Sequence, residues 1–257
     1  MELFKIFGRI ALKGQAETED GLDSVAGKAS GVGQALLKGI GTFAKWGAAA
    51  ATAAATATAA LVKSAVTAYS DYEQLVGGVE TLFKDSASEV QKYAANAYQT
   101  AGLSANEYME TVTGFSASLL QSLDGDTKAA AEKANVAITD MSDNANKMGT
   151  SMESIQNAYQ GFAKQNYTML DNLKLGYGGT KEEMQRLLED AEKLSGQKFD
   201  LSSYADIVDA IHVVQTEMGI TGTTAKEAAT TIQGSVNMTK AAWQNLVVGI
   251  ADDTQDF

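Results

Sequence analysis

Ser104-Ala105-Asn106-Glu107-Tyr108-Met109-Glu110-Thr111-Val112-Thr113-Gly114-Phe115-Ser116-Ala117-Ser118-Leu119-Leu120-Gln121-Ser122-Leu123-Asp124-Gly125 is the stretch that decides the fold class. Tyr108, Met109, Val112, Phe115, Ser116, Leu119, Leu120 and Leu123 recur at steps of three and four, so they share one face of a single amphipathic helix. Ser104 and Glu107 form a capping box in front of that face, and Asp124-Gly125 turns the chain behind it.

The same grammar extends in both directions. Upstream, Tyr69, Tyr72, Leu75, Val76, Val79, Leu82 and Phe83 make one stripe, and Ser86 with Glu89 boxes a helix that uses Val90, Tyr93, Ala94, Ala97, Tyr98 and Ala101 and stops at Gly102. Downstream, Asp126 caps a helix carrying Ala130, Ala134, Ala137, Ile138, Met141, Ala145 and Met148 as far as Gly149. Thr150 with Glu153 boxes a helix that buries Ile155, Tyr159 and Phe162, and Thr180 with Glu183 boxes one carrying Met184, Leu187, Leu188, Ala191 and Leu194. The period is lost from Asn166 to Gly179, which reads as a loop or hinge. A helix from about Tyr204 to Met218 runs through Ile207, Ile211 and Val214, and beyond Gly219 and Gly222 a last stretch carries Ile232, Val236, Trp243, Leu246, Val247 and Ile250.

The N-terminal quarter has another texture. Phe4, Ile6, Gly8, Ile10 and Leu12 alternate with Lys5, Arg9 and Lys13, the period of a short strand over 4–12. Glycines 27, 31, 33, 39 and 41 make 14–42 a weak helix or flexible lead-in. Seventeen uncharged residues from Trp46 to Val62, most of them Ala and Thr, then form a helix at about 44–68. That surface suits close packing against protein, marginal membrane insertion or a solvated stalk, because it is small-featured and holds few of the large apolar groups that drive insertion.

These readings give an all-α fold in two parts: a Gly/Ala-rich segment over 1–68 and a multi-helix amphipathic domain over 69–257. Proline is absent, as suits helices joined by the 24 glycines, and no cysteine is available for a disulfide, a thiolate metal site or a nucleophile. The net charge of −12 argues against general binding to a phosphate backbone. It is uneven: residues 1–70 hold seven Lys and Arg against five Asp and Glu, net +2, leaving 13 against 27, net −14, for the rest.

A search for chemistry yields no catalytic, cofactor-binding or metal-ligating set. His212, the single histidine, lies between Ile211 and Val213 and reads as a structural or partly exposed residue. Gly176-Tyr177-Gly178-Gly179-Thr180-Lys181 has the glycines and lysine of a phosphate loop but the wrong spacing and no preceding strand. Glu182-Glu183, Glu189-Asp190 and Asp252-Asp253 read as solvated faces, and Tyr69, Tyr72, Tyr93, Tyr98 and Tyr108 as helix contacts rather than a base-stacking platform. The expectation is a non-enzymatic structural protein without cofactors.

Several stretches resemble the tail tape measure proteins of long-tailed phages and prophages. They are Asp71-Tyr72-Glu73-Gln74-Leu75-Val76-Gly77-Gly78-Val79-Glu80-Thr81-Leu82-Phe83 and the run from Ala137 through Asp140-Met141-Ser142-Asp143-Asn144 to Lys147-Met148-Gly149. The most specific is Tyr159-Gln160-Gly161-Phe162-Ala163-Lys164-Gln165-Asn166-Tyr167-Thr168-Met169-Leu170-Asp171-Asn172-Leu173-Lys174-Leu175-Gly176-Tyr177-Gly178-Gly179-Thr180, and the likeness continues through Gly219-Ile220-Thr221-Gly222-Thr223-Thr224-Ala225-Lys226-Glu227-Ala228 and Trp243-Gln244-Asn245-Leu246. It covers most of residues 69–251. The resemblance implies helices inside the tail tube that set tail length during assembly and leave when DNA is ejected, with the tube (major tail) protein, tail assembly chaperones and tail tip proteins as partners, and self-association. It implies a place in the virion tail lumen, and in the host cytoplasm during assembly. The alternative is a membrane-active or pore-forming module in which Trp46 to Val62, flanked by Lys45 and Lys63, assists DNA passage across the host membrane at ejection. A fully helical chain of this length reaches ~390 Å, short for the family, so the expectation is the N-terminal part or a truncated form of such a protein.

Overall fold

The computed structural model describes residues 67–230 and 232–251, without the side chains of 228–237, 250 and 251. The strand expected over 4–12, the lead-in over 14–42, nearly all of the Ala-rich helix over 44–68 and the Asp252-Asp253 pair lie outside the described residues. The described residues are all-α, with no strand among them. They fall into two compact units, one of them Glu73–Ala242 and the other including 67–72 and 243–251.

Helical backbone covers 67–83 (α1), and a 3-10 turn over Lys84–Ser86 leads into α2, Ala87–Thr100. There follow α3 (Ala105–Thr113), α4 (Ser116–Ser122), α5 (Thr127–Met148) and α6 (Met152–Phe162). A connector holding a 3-10 turn at Leu170–Leu173 precedes α7 (Lys181–Ser195), α8 (Tyr204–Glu217), α9 (Thr223–Thr230) and α10 (Ile232–Ala251).

Within Glu73–Ala242, α5 is the central element, packed by α2, α3, α4, α6, α8, α9 and the connector. Its first half presents Ala130, Ala131, Ala134 and Ala137 at 0% exposure, and α2 answers with buried Ala87, Ala94 and Ala97. Small side chains on both helices let their backbones approach closely, and the larger Val79, Phe83, Met109, Val112, Ile138 and Met141 fill the space around them.

The helix expected from Ser104 to Leu123 is two helices. The chain breaks at Gly114-Phe115, and the Gly114 amide closes α3 on Glu110 O and Thr111 O. Glycine in a helix interior costs backbone entropy, and here a Cβ at 114 would stand 2.8 Å from the Gln160 amide nitrogen. The Ser116 hydroxyl donates to the Val112 carbonyl at the break, beside the Phe115 amide. Phe115, Ser116 and Leu119 are buried by this redirection, whereas Leu120 and Leu123, expected on the core face, are only half-buried.

The caps follow the sequence in part. Ser104–Glu107 is a complete box, and Asp126 Oδ1 accepts from the amides of Lys128 and Ala129 at 3.0 Å each. Thr180 caps α7 through the Glu183 amide, but the Glu183 carboxylate goes to Gly178 N and Arg186 instead of back to the cap. Ser86 caps nothing, because the 3-10 turn carries the backbone straight into α2; its hydroxyl bonds Thr127 Oγ1. The start of α6 is shifted by one residue: Ser151 accepts from Ser154 N, and Thr150 donates to Asn172 O. Leu194 and Trp243, expected on apolar stripes, are about half exposed, the first in the last turn of α7 and the second in α10.

The expected hinge over 166–179 is a packed connector. Tyr167, Leu170, Leu173 and Leu175 are buried, Tyr167 donates to Leu201 O, and Lys174 Nζ donates to Met148 O. Gly179 passes so near residue 168 that a Cβ on it would lie 2.3 Å from the Thr168 carbonyl oxygen. Gly179→Ala should therefore lower unfolding free energy in urea by ~1–3 kcal/mol, as overpacking against backbone does. Gly178→Ala, whose new Cβ would meet only the Glu183 side chain, at 3.5 Å or more, should cost clearly less.

Candidate functional site

The second half of α5 is polar yet buried. Asp140, Ser142, Asp143 and Asn144 are at most 7% exposed, on the helix whose first half is an alanine face. A buried polar group without a partner costs ~1–3 kcal/mol, so each must be met by another part of the chain.

Each residue is met by a different element, although Asn144 Oδ1 accepts no hydrogen bond among the described residues. Ser142 donates to the Ala101 carbonyl at the end of α2, and Asn144 Nδ2 donates to the Leu173 carbonyl of the connector at 3.0 Å. Asp143 accepts from the amides of Gly222 at 2.6 Å and Thr224 at 2.8 Å, and so caps α9 from another helix. Those amides begin a helix and have no intrahelical acceptor, which is why a carboxylate suits the place. Asp140 reaches α8, where His212 Nδ1 lies 3.0 and 2.9 Å from its two oxygens. Nearer the start of α5, Lys133 pairs with Asp209 of α8 and Asn135 Oδ1 accepts from the Tyr108 hydroxyl of α3.

The electrostatics centre on Asp140 and His212. Burial raises the Asp140 carboxyl above the usual carboxylate range, although its bond to His212 pulls the other way. The bond to Asp140 raises the His212 imidazole. Burial, and then the Asp140 charge, hold the Tyr159 phenol of α6 well above its ordinary value. An Asp–His relay for acyl transfer needs a hydroxyl or thiol on the far side of the ring; among the described residues the imidazole hydrogen-bonds Asp140 alone. Nor does any group of three His, Asp or Glu stand close enough among the described residues to hold a metal ion.

The glycine-rich stretch before α7 is closed on itself. Glu183 takes the Gly178 amide at 2.9 Å, Arg186 donates to Gly176 O and stacks over the Tyr177 ring at 4.4 Å, and Tyr177 donates to Asp190. Burial and that bond to Asp190 push the Tyr177 phenol up to about 12. The amide that would face an anion thus already faces a carboxylate of the same chain. Of the paired carboxylates, Glu182 and Glu189 are exposed, while Glu183 and Asp190 turn to these local partners. Tyr108 is buried, and Tyr69, Tyr72, Tyr93 and Tyr98 are half-buried.

Sequence reasoning read His212 as structural or partly exposed and missed its partner Asp140 and the buried Asp143 and Asn144. For Asp140 and Asn144 the signal was present, because 137, 140, 141 and 144 continue one helical face; Asp143 lies off that face and carried no such signal. No known protein family, curated protein or solved structure matches the chain.

Replacing the buried Asp143 by Ala removes the acceptor of two part-buried helix-start amides and leaves a polar hole, so urea denaturation should show a loss of ~2–4 kcal/mol. Asp126→Ala removes an exposed cap of the same kind and should cost only ~1 kcal/mol. Equal losses would mean that Asp143 does no more than an ordinary surface cap.

Proposed function

We propose that the chain is the N-terminal part, or a truncated form, of a phage tail tape measure protein: a non-enzymatic virion structural protein of the tail tube lumen. In this reading it acts during tail assembly, in the host cytoplasm, with the tail tube protein, assembly chaperones and tail tip proteins, and leaves the tail at DNA ejection. Length setting itself belongs to the whole protein.

The observation that carries the proposal is the stretch from Tyr159 to Thr180, the most specific part of the resemblance. The residues that make it specific have packing roles here: Tyr159, Phe162, Tyr167, Leu170 and Leu173 are buried, and Gly179 sits against Thr168. A likeness concentrated in packing residues suits a protein whose work is to occupy and assemble. The all-α architecture of the described residues is consistent with it.

Among the described residues no helix is long and apolar enough to cross a membrane. The membrane-active alternative concerns Trp46 to Val62, outside them, and vesicle leakage by the full chain would test it.

Tails purified from the phage or induced prophage that encodes the chain should contain its peptides by mass spectrometry before ejection and lose them afterwards. Absence from purified tails would refute the proposal. Light-scattering mass should show self-association of the full chain and not of residues 70–257, if the Ala-rich segment is the assembly element.

A further inference from the structure

Helices α7 and α8 form a hairpin at one side of Glu73–Ala242; α7 packs chiefly on α8, and α8 packs on α5 and α4. Two charged contacts fasten α8 to α5. One is Lys133 with Asp209, whose side chains are 28% and 36% exposed. The other is Asp140 with His212, at 2% and 39%. The contacts differ in kind. An ammonium keeps its charge throughout the neutral range and an imidazole does not. The His212 proton can leave to solvent, whereas the Asp140 charge is closed off from water and needs its partner.

The surroundings sharpen this asymmetry. Besides Asp140, the carboxylates of Asp209 on α8 and Asp143 on α5 bear on the imidazole. Tyr159 contributes a phenol from α6 that feels the Asp140 charge, and Lys133, the nearby cation of α5, is already engaged by Asp209. If His212 loses its proton, three carboxylates remain with one ammonium among them.

We propose that the α7–α8 hairpin is a pH-gated element, clasped to α5 by the Asp140–His212 ion pair while the imidazole is protonated and loosened when that proton leaves. The proposal stands independently of the tail reading. Its direction follows from linkage. Both groups hold their protons more tightly in the folded chain than in the unfolded one. The contribution of His212 is therefore fully present below the ordinary histidine value of about 6.5 and is lost as pH rises through its higher folded value.

The single histidine and the lack of cysteine make the test clean, because between about pH 6 and pH 9 only His212 and the α-amino group are ordinarily expected to titrate. The full chain is titrated by NMR at the His212 ring protons, and amide exchange over residues 181–217 is compared at the two ends of that range, corrected for intrinsic rates. The imidazole should titrate above the ordinary value. Opening of α7–α8 should increase ~tenfold for each unit of that elevation, while α2 and α3 stay unchanged. His212→Gln keeps an amide donor for Asp140 but cannot titrate, so its opening should not depend on pH. In Asp140→Asn the imidazole should return toward its ordinary value. An imidazole titrating at or below that value overturns the proposal, and so does pH-dependent opening that persists in His212→Gln. If the Gln variant does not fold, the Asn variant decides: unchanged pH-dependent opening there refutes the clasp.

Discussion

Everything in the Glu73–Ala242 unit is arranged around one requirement, that the buried polar end of α5 find partners. Asp140, Ser142, Asp143 and Asn144 leave water together, and hydrocarbon contact cannot compensate them. The compensation comes from a histidine on α8, the carbonyl that ends α2, the amides that open α9 and a carbonyl of the connector. The alanine half of the same helix works differently. Its contacts are non-directional, so they hold neighbours close without fixing which turn of a neighbour they meet. Directional bonds at the polar end supply that choice, and a slip of one residue would strand several of them at once.

The same logic accounts for the connector between α6 and α7. A stretch with no helical period and a glycine-rich end has the composition of a hinge, yet it is held by buried leucines, by Asn144 at Leu173 and by Lys174 at Met148. Its glycines serve close approach as well as turning: Gly179 allows backbone to meet backbone at Thr168. A packed connector transmits the placement of α5 and α6 to α7. The residues of this stretch on which the proposed tail reading rests have packing roles, with Tyr167, Leu170 and Leu173 buried.

The helices, most of their apolar faces and the stops at Gly102 and Gly149 could be read from the sequence, because helical period and terminal glycines are local properties. The complete cap at Ser104 and the cap at Asp126 were legible for the same reason. The break at Gly114 was not: the apolar period runs through it unchanged, and the redirection shows only in the backbone, where the Gly114 amide closes α3 on Glu110 O and Thr111 O. Ser86 failed as a cap because a 3-10 turn carries the backbone straight into α2, and Thr150 because Ser151 takes the N-cap place of α6; their hydroxyls bond Thr127 and Asn172 instead.

What the sequence by itself determined is therefore the all-α class, the register of most apolar faces and the lack of any cysteine or second histidine to build chemistry on. What only the tertiary structure decided is which polar residues are interior and whom they bond. Asp143 and Glu182 are both acids on helices; one is fully buried against the start of α9 and the other faces solvent. Nothing local distinguishes them. The difference arises because the free energy of a carboxylate depends on the donors that long-range packing brings to it.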